Sequence, residues 1–332
     1  MIRRIITILC LIISVNAFAT SVDEGVTLFN QMHYKQAQAV FEPLAKQGDA
    51  RAMFWLGVSQ FRTGEQFKAG HTLLKSAEAG NPWAMLMMSP EDNGYCGYLG
   101  WPCDQSWRDK AFSVLEKLAD QGNGNAICTL LYRKGKPWWT YVPILNKQRG
   151  GELAEKGVKN GWYRMANCGI PMNIEKQVEL LRYAANQNYA PAMIELYSLN
   201  EKNTDKAKGS ENLLHQAVKL GYRGGALAFY YYYQEKIPDL ESVSDFNQLT
   251  SDEKDLFKKV YYYSLIASGY GSKKDYLTWQ WVKDEKDERV TITLISSYEE
   301  KEIKKKAKLF LRKFKPNLFL DESSDINTLL NP

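Results

Sequence analysis

Few residues in this chain stand at spacings that could do covalent chemistry. Ser251 and Lys254 have the Ser-x-x-Lys spacing of serine acyl-transfer nucleophiles, but the companion Ser-Asp-Asn and Lys-Thr-Gly segments are absent. Thr250-Ser251-Asp252-Glu253 reads instead as the capped start of a helix. His33, His71 and His215 lie far apart, with no cysteine or carboxylate pair at ligand spacing, so they assemble no metal set. The sequence holds no phosphate-cradling glycine loop, dinucleotide fingerprint, Gly-x-Ser-x-Gly or His-Glu-x-x-His. These residues lead to the expectation of a non-enzyme with no catalytic, cofactor or metal residues.

The cysteines carry a different message. Met1-Ile2-Arg3-Arg4, an apolar run from Ile5 to Val15 and Ala17-Phe18-Ala19 form the three regions of a signal peptide. The expected cleavage follows Ala19, and the expected destination is the periplasm. Cys10 falls inside the apolar run, leaving Cys96, Cys103, Cys128 and Cys168. In an oxidising compartment an even count suggests disulfides. Cys96 and Cys103 flank a short Gly/Tyr-rich loop, which favours that local pair and leaves Cys128 with Cys168. As the other reading, Cys128 and Cys168 are small buried apolar residues on helices.

The elements that must position all this are set by an internal repeat. Ala-x-x-Gly recurs as Ala45…Gly48, Ala77…Gly80, Ala119…Gly122 and Ala154…Gly157, then with variation as Ala185…Asn188, Val218…Gly221 and Ile266…Gly269. Four residues past each turn stand Ala52, Ala84, Ala126, Gly161, Ala192, Gly225 and Lys273. Eight past stand Leu56, Met88, Leu130, Met165, Leu196, Phe229 and Leu277, all apolar. The residue seven before is also apolar, except at Gly150. Offsets of four and eight keep side chains on one helix face. Each unit therefore reads as two amphipathic helices meeting at a glycine, and such hairpins bury their faces only by stacking. Ser21-Val22-Asp23-Glu24 and Thr63-Gly64-Glu65-Gln66 have the form of capping boxes, and Asn173 can cap the helix that follows it.

Leu44-Ala45-Lys46-Gln47-Gly48-Asp49-Ala50-Arg51-Ala52 resembles the Sel-one-like repeat (SLR), a relative of the tetratricopeptide repeat. Lys75 to Ala84 and Ala184 to Ala192 fit the same pattern, and the likeness spans roughly residues 34 to 270. It implies an all-α, right-handed α/α solenoid of about seven irregular repeats that binds another protein. Exported SLR proteins resemble some encoded beside lipase or phospholipase effectors of type VI secretion, which implies a periplasmic immunity protein. An envelope scaffold is the alternative. A β-lactam-binding enzyme is a remote one, since only Ser251 and Lys254 here could host it.

Within that plan the expected domains are a signal peptide at 1–19, a solenoid at 20–272, a capping region with a basic helix at 273–315 and a loosely held tail at 316–332. Two Gly/Pro-rich insertions carry Tyr95, Tyr98, Trp101, Trp107, Trp138, Trp139 and Tyr141. These rings either offer a partner-binding surface or fold back over helix ends. Trp55, Trp162 and Tyr163 join Phe54, Trp83 and Tyr197 on first helices, which line the inner wall of such superhelices; core packing is the competing reading. Tyr230 to Tyr233 cannot all face inward, so at least one ring should be exposed. Residues 297–313 read as a basic helix whose Ile303, Ala307, Phe310, Leu311 and Phe314 cap the last repeat. Its lysines could touch an anionic surface weakly. Composition agrees with a globular chain: 45% hydrophobic and 24% charged over 332 residues. A net charge of +5, two units of it in the signal peptide, is too small for a nucleic-acid binder. No later segment is long and apolar enough to span a membrane.

Overall fold

The computed structural model describes residues 21–201, 211–237, 249–272, 276, 278–283 and 289–331. The signal-peptide pattern lies outside them. The chain reverses between helices at Gly48, Gly80, Gly122, Gly161, Gly221 and Gly271, which have φ between +79° and +97°, and at Asn188, with φ +61°. This left-handed geometry is costly for a residue with a side chain, asparagine being the best substitute for glycine. The turn N–H of Gly48, Gly80 and Gly122 donates to the carbonyl of the alanine three residues earlier, at 2.8–3.1 Å. Asp49, Asn81 and Asn123 then cap the next helix, accepting from the N–H of Ala52, Ala84 and Ala126 at 2.9–3.0 Å.

Among the described residues these turns join seven helix pairs. They are α1 (Val22–Asn30) with α2 (Tyr34–Lys46), α3 (Ala50–Arg62) with α4 (Gln66–Glu78), and α5 (Pro82–Met87) with α7 (Ser106–Asp120). The one-turn α6 (Tyr95–Tyr98) sits in the first insertion. Next come α8 (Gly124–Arg133) with α9 (Pro143–Lys159), then a 3-10 turn (Tyr163–Ala166) with α10 (Ile174–Asn186). The last two pairs are α11 (Ala190–Glu201) with α12 (Glu211–Lys219), and α13 (Arg223–Gln234) with α14 (Ser251–Gly269). Each pair packs on its sequence neighbours, and the stack brings the first hairpin round to the last: a Cβ built on Gly271 would lie 3.3 Å from Met32 Cε. Among the described residues no helix is long and apolar enough to cross a membrane.

Two turns fall elsewhere than the repeat pattern placed them. The fourth is at Gly161, not Gly157, and the last at Gly271, not Gly269. Gly157 lies inside α9, where a Cβ would stand 2.0 Å from Met165 Sδ. Met165 occupies the position that holds alanine or glycine in other repeats, and glycine opposite it makes the room. Counted from Gly161, the apolar position seven earlier is Ala154, fully buried, so the exception at Gly150 disappears. Thr63 also acts differently from expectation. Its hydroxyl donates to carbonyls at the end of α3 and does not cap α4. Ser21, Thr250 and Asn173 cap as expected.

Residues 279–283 and 289–293 form a two-stranded antiparallel ribbon, β1 (Trp279–Lys283) and β2 (Arg289–Thr293), where an irregular region was expected. Val290 to Thr293 is a β-branched run, which favours extended backbone. α15 (Ser297–Lys313) then caps the last pair through buried Ile303 and Ala307, and Gly269 admits Leu311. Lys258 pairs with Glu299 at 2.7 Å and Tyr261 donates to Glu300 at 3.1 Å. The hydrogen bonds from Lys258 and from Ser296 hold the Glu299 carboxyl at about 2, below its ordinary 4.5. A depressed carboxylate stabilises the fold above its unfolded value and loses that contribution as pH falls through its folded one. The protection of α15 amides, corrected for the intrinsic pH dependence of exchange, should therefore fall between pH 4.5 and 2, and Glu299→Gln should flatten that fall.

The largest departure from the sequence expectation concerns residues 316–331. They are not a loose tail: they run along the inner side of the stack, with Leu318, Glu322, Ser324, Ile326, Leu329 and Leu330 buried. The segment ends in the one-turn α16 (Ile326–Leu330), whose apolar side chains join the core of the first three repeats.

Candidate polypeptide-binding groove

The inner wall is made by first helices. On α3 the residues Arg51, Trp55, Ser59 and Arg62 fall four, four and three apart, which places them on one face. On α8 the same spacing sets Asn125, Thr129 and Arg133 on one face, and the 3-10 turn supplies Arg164.

Arg51, Trp55, Arg62, Asn125, Arg133 and Arg164 grip the segment 317–331. The Glu322 carboxylate is buried and accepts from Arg51 Nε, from Trp55 Nε1 at 2.8 Å and from Asn125 Nδ2 at 3.3 Å. Arg164 donates to Ser324 Oγ at 3.1 Å and lies 3.5 Å from Asp321. Arg133 reaches Asp325 at 3.6 Å. Arg62 donates to the Thr328 and Leu329 carbonyls, both at 2.6 Å. Main chain joins in: Asn317 N–H donates to Gly221 O at 2.9 Å, and Leu318 N–H to Asn30 O at 3.0 Å. The Asn30 side chain pairs with both backbone groups of Leu320, donating at 3.0 Å and accepting at 2.7 Å. The Phe319 ring packs edge-on against Tyr189 and Tyr222.

Burial works against the charge on Arg51, but Glu322 and Asp23 more than offset it and raise its pKa. Arg62 has no carboxylate at hand, and burial lowers its pKa. Its Nη1, together with Ser59 Oγ and Gln60 Oε1, is buried without a protein hydrogen-bond partner. Beside Glu322 a cavity of about 490 Å³ opens between Trp83, Trp162, Tyr163, Tyr189, Arg51 and Arg164. Such a wall supplies donors for carboxylates and main-chain carbonyls, and aromatic surface for apolar side chains.

The repeated unit of Ala-x-x-Gly turn, Asp/Asn cap and small first-helix residue is now visible in successive pairs. The fold is an α/α solenoid whose repeated unit resembles the Sel-one-like repeat. No family model matches the sequence, and no curated protein matches it. Among solved structures, this chain is similar to a Sel1 repeat protein from Oxalobacter formigenes, at 20% identity over 60% of this chain and 86% of that one, with a TM-score of 0.35. It is also similar to c5321, a protective antigen of uropathogenic Escherichia coli with an SLR fold, at 13% identity over 90% of this chain and 70% of that one, TM-score 0.32.

The ten aromatic residues singled out from the sequence divide by burial. Trp55 is fully buried, and Trp101 is buried with its indole N–H on Gln66 O, its ring filling the space over Gly70. Half-buried Tyr95 meets Phe61 edge-on and lies tilted against Trp101, and its hydroxyl accepts from Asn331. These three are packed against the body and are not free surface. Trp162 and Tyr163 line the groove, half-buried. Trp107 and Trp139 are half-buried, while Tyr98, Trp138 and Tyr141 are exposed. Tyr231 is the exposed ring of the four-tyrosine run. Ser251 is an exposed helix-start residue beneath the Thr250–Glu253 capping box. Sequence reasoning missed Asn30, Arg51, Arg62, Asn125, Arg133 and Arg164. The signal available for part of this set was the spacing of polar residues along α3 and α8.

Both cysteine pairs are bonded, Cys96–Cys103 across 7 residues and Cys128–Cys168 across 40. The second ties α8 to the loop before α10 and holds the wall that carries Asn125 and Arg133. Closing the longer loop restricts the unfolded chain more, by about 4 kcal/mol against about 2 kcal/mol in the chain-entropy account. The Cys128→Ser/Cys168→Ser variant should therefore melt below the Cys96→Ser/Cys103→Ser variant in thermal unfolding.

Proposed function

We propose that this chain is an exported protein-binding solenoid that works by holding another polypeptide, and that it is a periplasmic immunity protein neutralising a secreted lipase- or phospholipase-like antibacterial effector. One observation carries the reading: the inner wall holds an extended stretch of polypeptide through side chains from α1, α3, α8 and the 3-10 turn. The donors converging there suit carboxylates and main-chain carbonyls. Export is supported by the signal-peptide pattern and the two bonded cysteine pairs. The effector class comes from the SLR resemblance alone. Exposed Tyr98, Trp138 and Tyr141 on the insertions give a second contact surface of the residue types that dominate interfaces.

The test is genetic and biochemical together. Deleting the gene should make cells sensitive to sister cells that secrete the effector, and the full chain should recover that effector from periplasmic extract at nanomolar affinity. Insensitive deletion cells, with an endogenous envelope protein recovered in place of a toxin, would turn the reading into a scaffold. Hydrolysis of a β-lactam that Ser251→Ala abolishes would replace it with an enzymatic one.

A further inference from the structure

We infer that the inner wall is a receptor for an acidic segment followed by an apolar turn, that residues 317–331 are its resident occupant, and that a partner polypeptide of the same chemistry enters by displacing them. The inference rests on the protein-binding reading above and names the partner's chemistry.

Charge carries the first step. From 316 to 331 the chain has Asp321, Glu322 and Asp325 and no lysine or arginine. Each carboxylate meets a wall arginine: Asp321 meets Arg164, Glu322 meets Arg51 and Asp325 meets Arg133. A fourth, Arg62, takes the carbonyls at the end of the apolar turn. Opposed charges in this register select an acidic sequence and reject a basic one. Side-chain depth carries the second step. Glu322 is held by donors from two helices, and Ile326, Leu329 and Leu330 fill an apolar bed three repeats wide. A ligand is thus read at one deep carboxylate and one apolar turn, four to eight residues apart.

Exchange, in place of permanent closure, follows from how the segment is held. Arg133 and Arg164 are only partly buried, so the ion pairs at either side of Glu322 remain open to solvent. The cavity of about 490 Å³ beside Glu322 gives an incoming chain access to Arg51 and Arg164 before the resident leaves. Phe319 sits at φ +54°, a strained backbone for a residue with a side chain, and leaving the groove relieves it.

The experiment uses the full chain and a fluorescein-labelled synthetic peptide of residues 316–332. In a companion variant Asp321→Asn, Glu322→Gln and Asp325→Asn weaken the resident segment. The labelled peptide should bind this variant at least tenfold more tightly than the unaltered chain, because its competitor is weaker. Raising salt from 50 to 300 mM should reduce that affinity at least tenfold, and a peptide with the three acids amidated should not bind. On the unaltered chain, excess peptide should speed amide exchange in 317–331. Equal affinity for both chains, no binding to either, or binding with exchange unchanged would overturn the inference. Should the variant lose its helical signal, a protease site inserted after Lys315 and cut after folding serves the same end. Labelled peptide should then replace the severed segment, and a segment that never exchanges would show a permanent brace and overturn it. Peptide exchange without any recovered effector sinks the immunity reading alone. Effector capture with 317–331 still protected sinks this inference alone.

Discussion

Trp55→Ala should lower the unfolding midpoint by about 10 °C and release residues 317–331 from exchange protection. Trp55 is fully buried among Phe29, Phe41 and Phe54, with ring centroids 5.1–6.4 Å away. Truncating a buried indole costs about 3–5 kcal/mol, because a cavity remains where the surrounding helices cannot close. Each kcal/mol moves the midpoint of a domain this large by roughly 2–4 °C. A second loss comes from the indole N–H, which donates to Glu322 at 2.8 Å. Trp55→Phe separates the two effects. It keeps most of the volume and removes only the hydrogen bond to a charged acceptor, worth about 1.5–3 kcal/mol. The phenylalanine variant should therefore lose less of the midpoint yet show nearly the same gain in exchange at 317–331. Calorimetry with amide exchange checks both. If the two variants melt together, or if the alanine variant keeps the segment protected, Trp55 is not the link between core and groove.

The sequence shows the stack plainly because its information is local. The turn at Gly80 and the cap at Asn81 need only residues within four positions, and the pattern repeats until chance is excluded. The same locality explains the two misplaced turns. Gly157 and Gly269 each stand three residues past an apolar residue, and only packing, of Met165 against Gly157 and of Leu311 against Gly269, shows which glycine bends the chain. Loop aromatics are harder to place because burial depends on a bed supplied from elsewhere. Trp101 finds one over Gly70, whereas Trp138 lies exposed. The groove is harder still. Leu320 meets Asn30 across 290 residues, and Glu322 meets Trp55 and Asn125 across 267 and 197. Hydrophobic periodicity carries no signal for such pairs, and a segment reading Pro-Asn-Leu-Phe-Leu-Asp-Glu-Ser-Ser looks like a tail when its receptor is unknown. The polar face of α3 was readable in advance. An amphipathic helix that places Arg51, Trp55, Ser59 and Arg62 on one inner face is not built only for packing.

Gly221→Ala should unseat residues 317–331 while leaving the helix pairs standing. Gly221 has φ +79°, and a Cβ there would fall 1.9 Å from Lys315 O and 2.9 Å from Asn317 N. Those are main-chain atoms at the entrance to the groove, so no side-chain rotation relieves the clash. The same glycine's carbonyl accepts from Asn317, so moving the chain aside also breaks the first anchor of the segment. Gly48→Ala is the matched control. Its φ is +93°, and nothing lies within 4 Å of the added Cβ. It should cost only the left-handed strain, about 1–2 kcal/mol, with the segment still protected. Gly221→Ala adds the lost anchor to that strain, and cooperativity along the groove then exposes Glu322 and the apolar turn. Amide exchange at 317–331 should approach that of an unstructured chain, while α3 and α8 retain slow amides. Apolar dye binding should rise as the bed of Ile326, Leu329 and Leu330 opens. A Gly221→Ala chain that loses only as much stability as Gly48→Ala, with its segment still protected, would show that the segment is anchored by its carboxylates and apolar turn and not at its entrance.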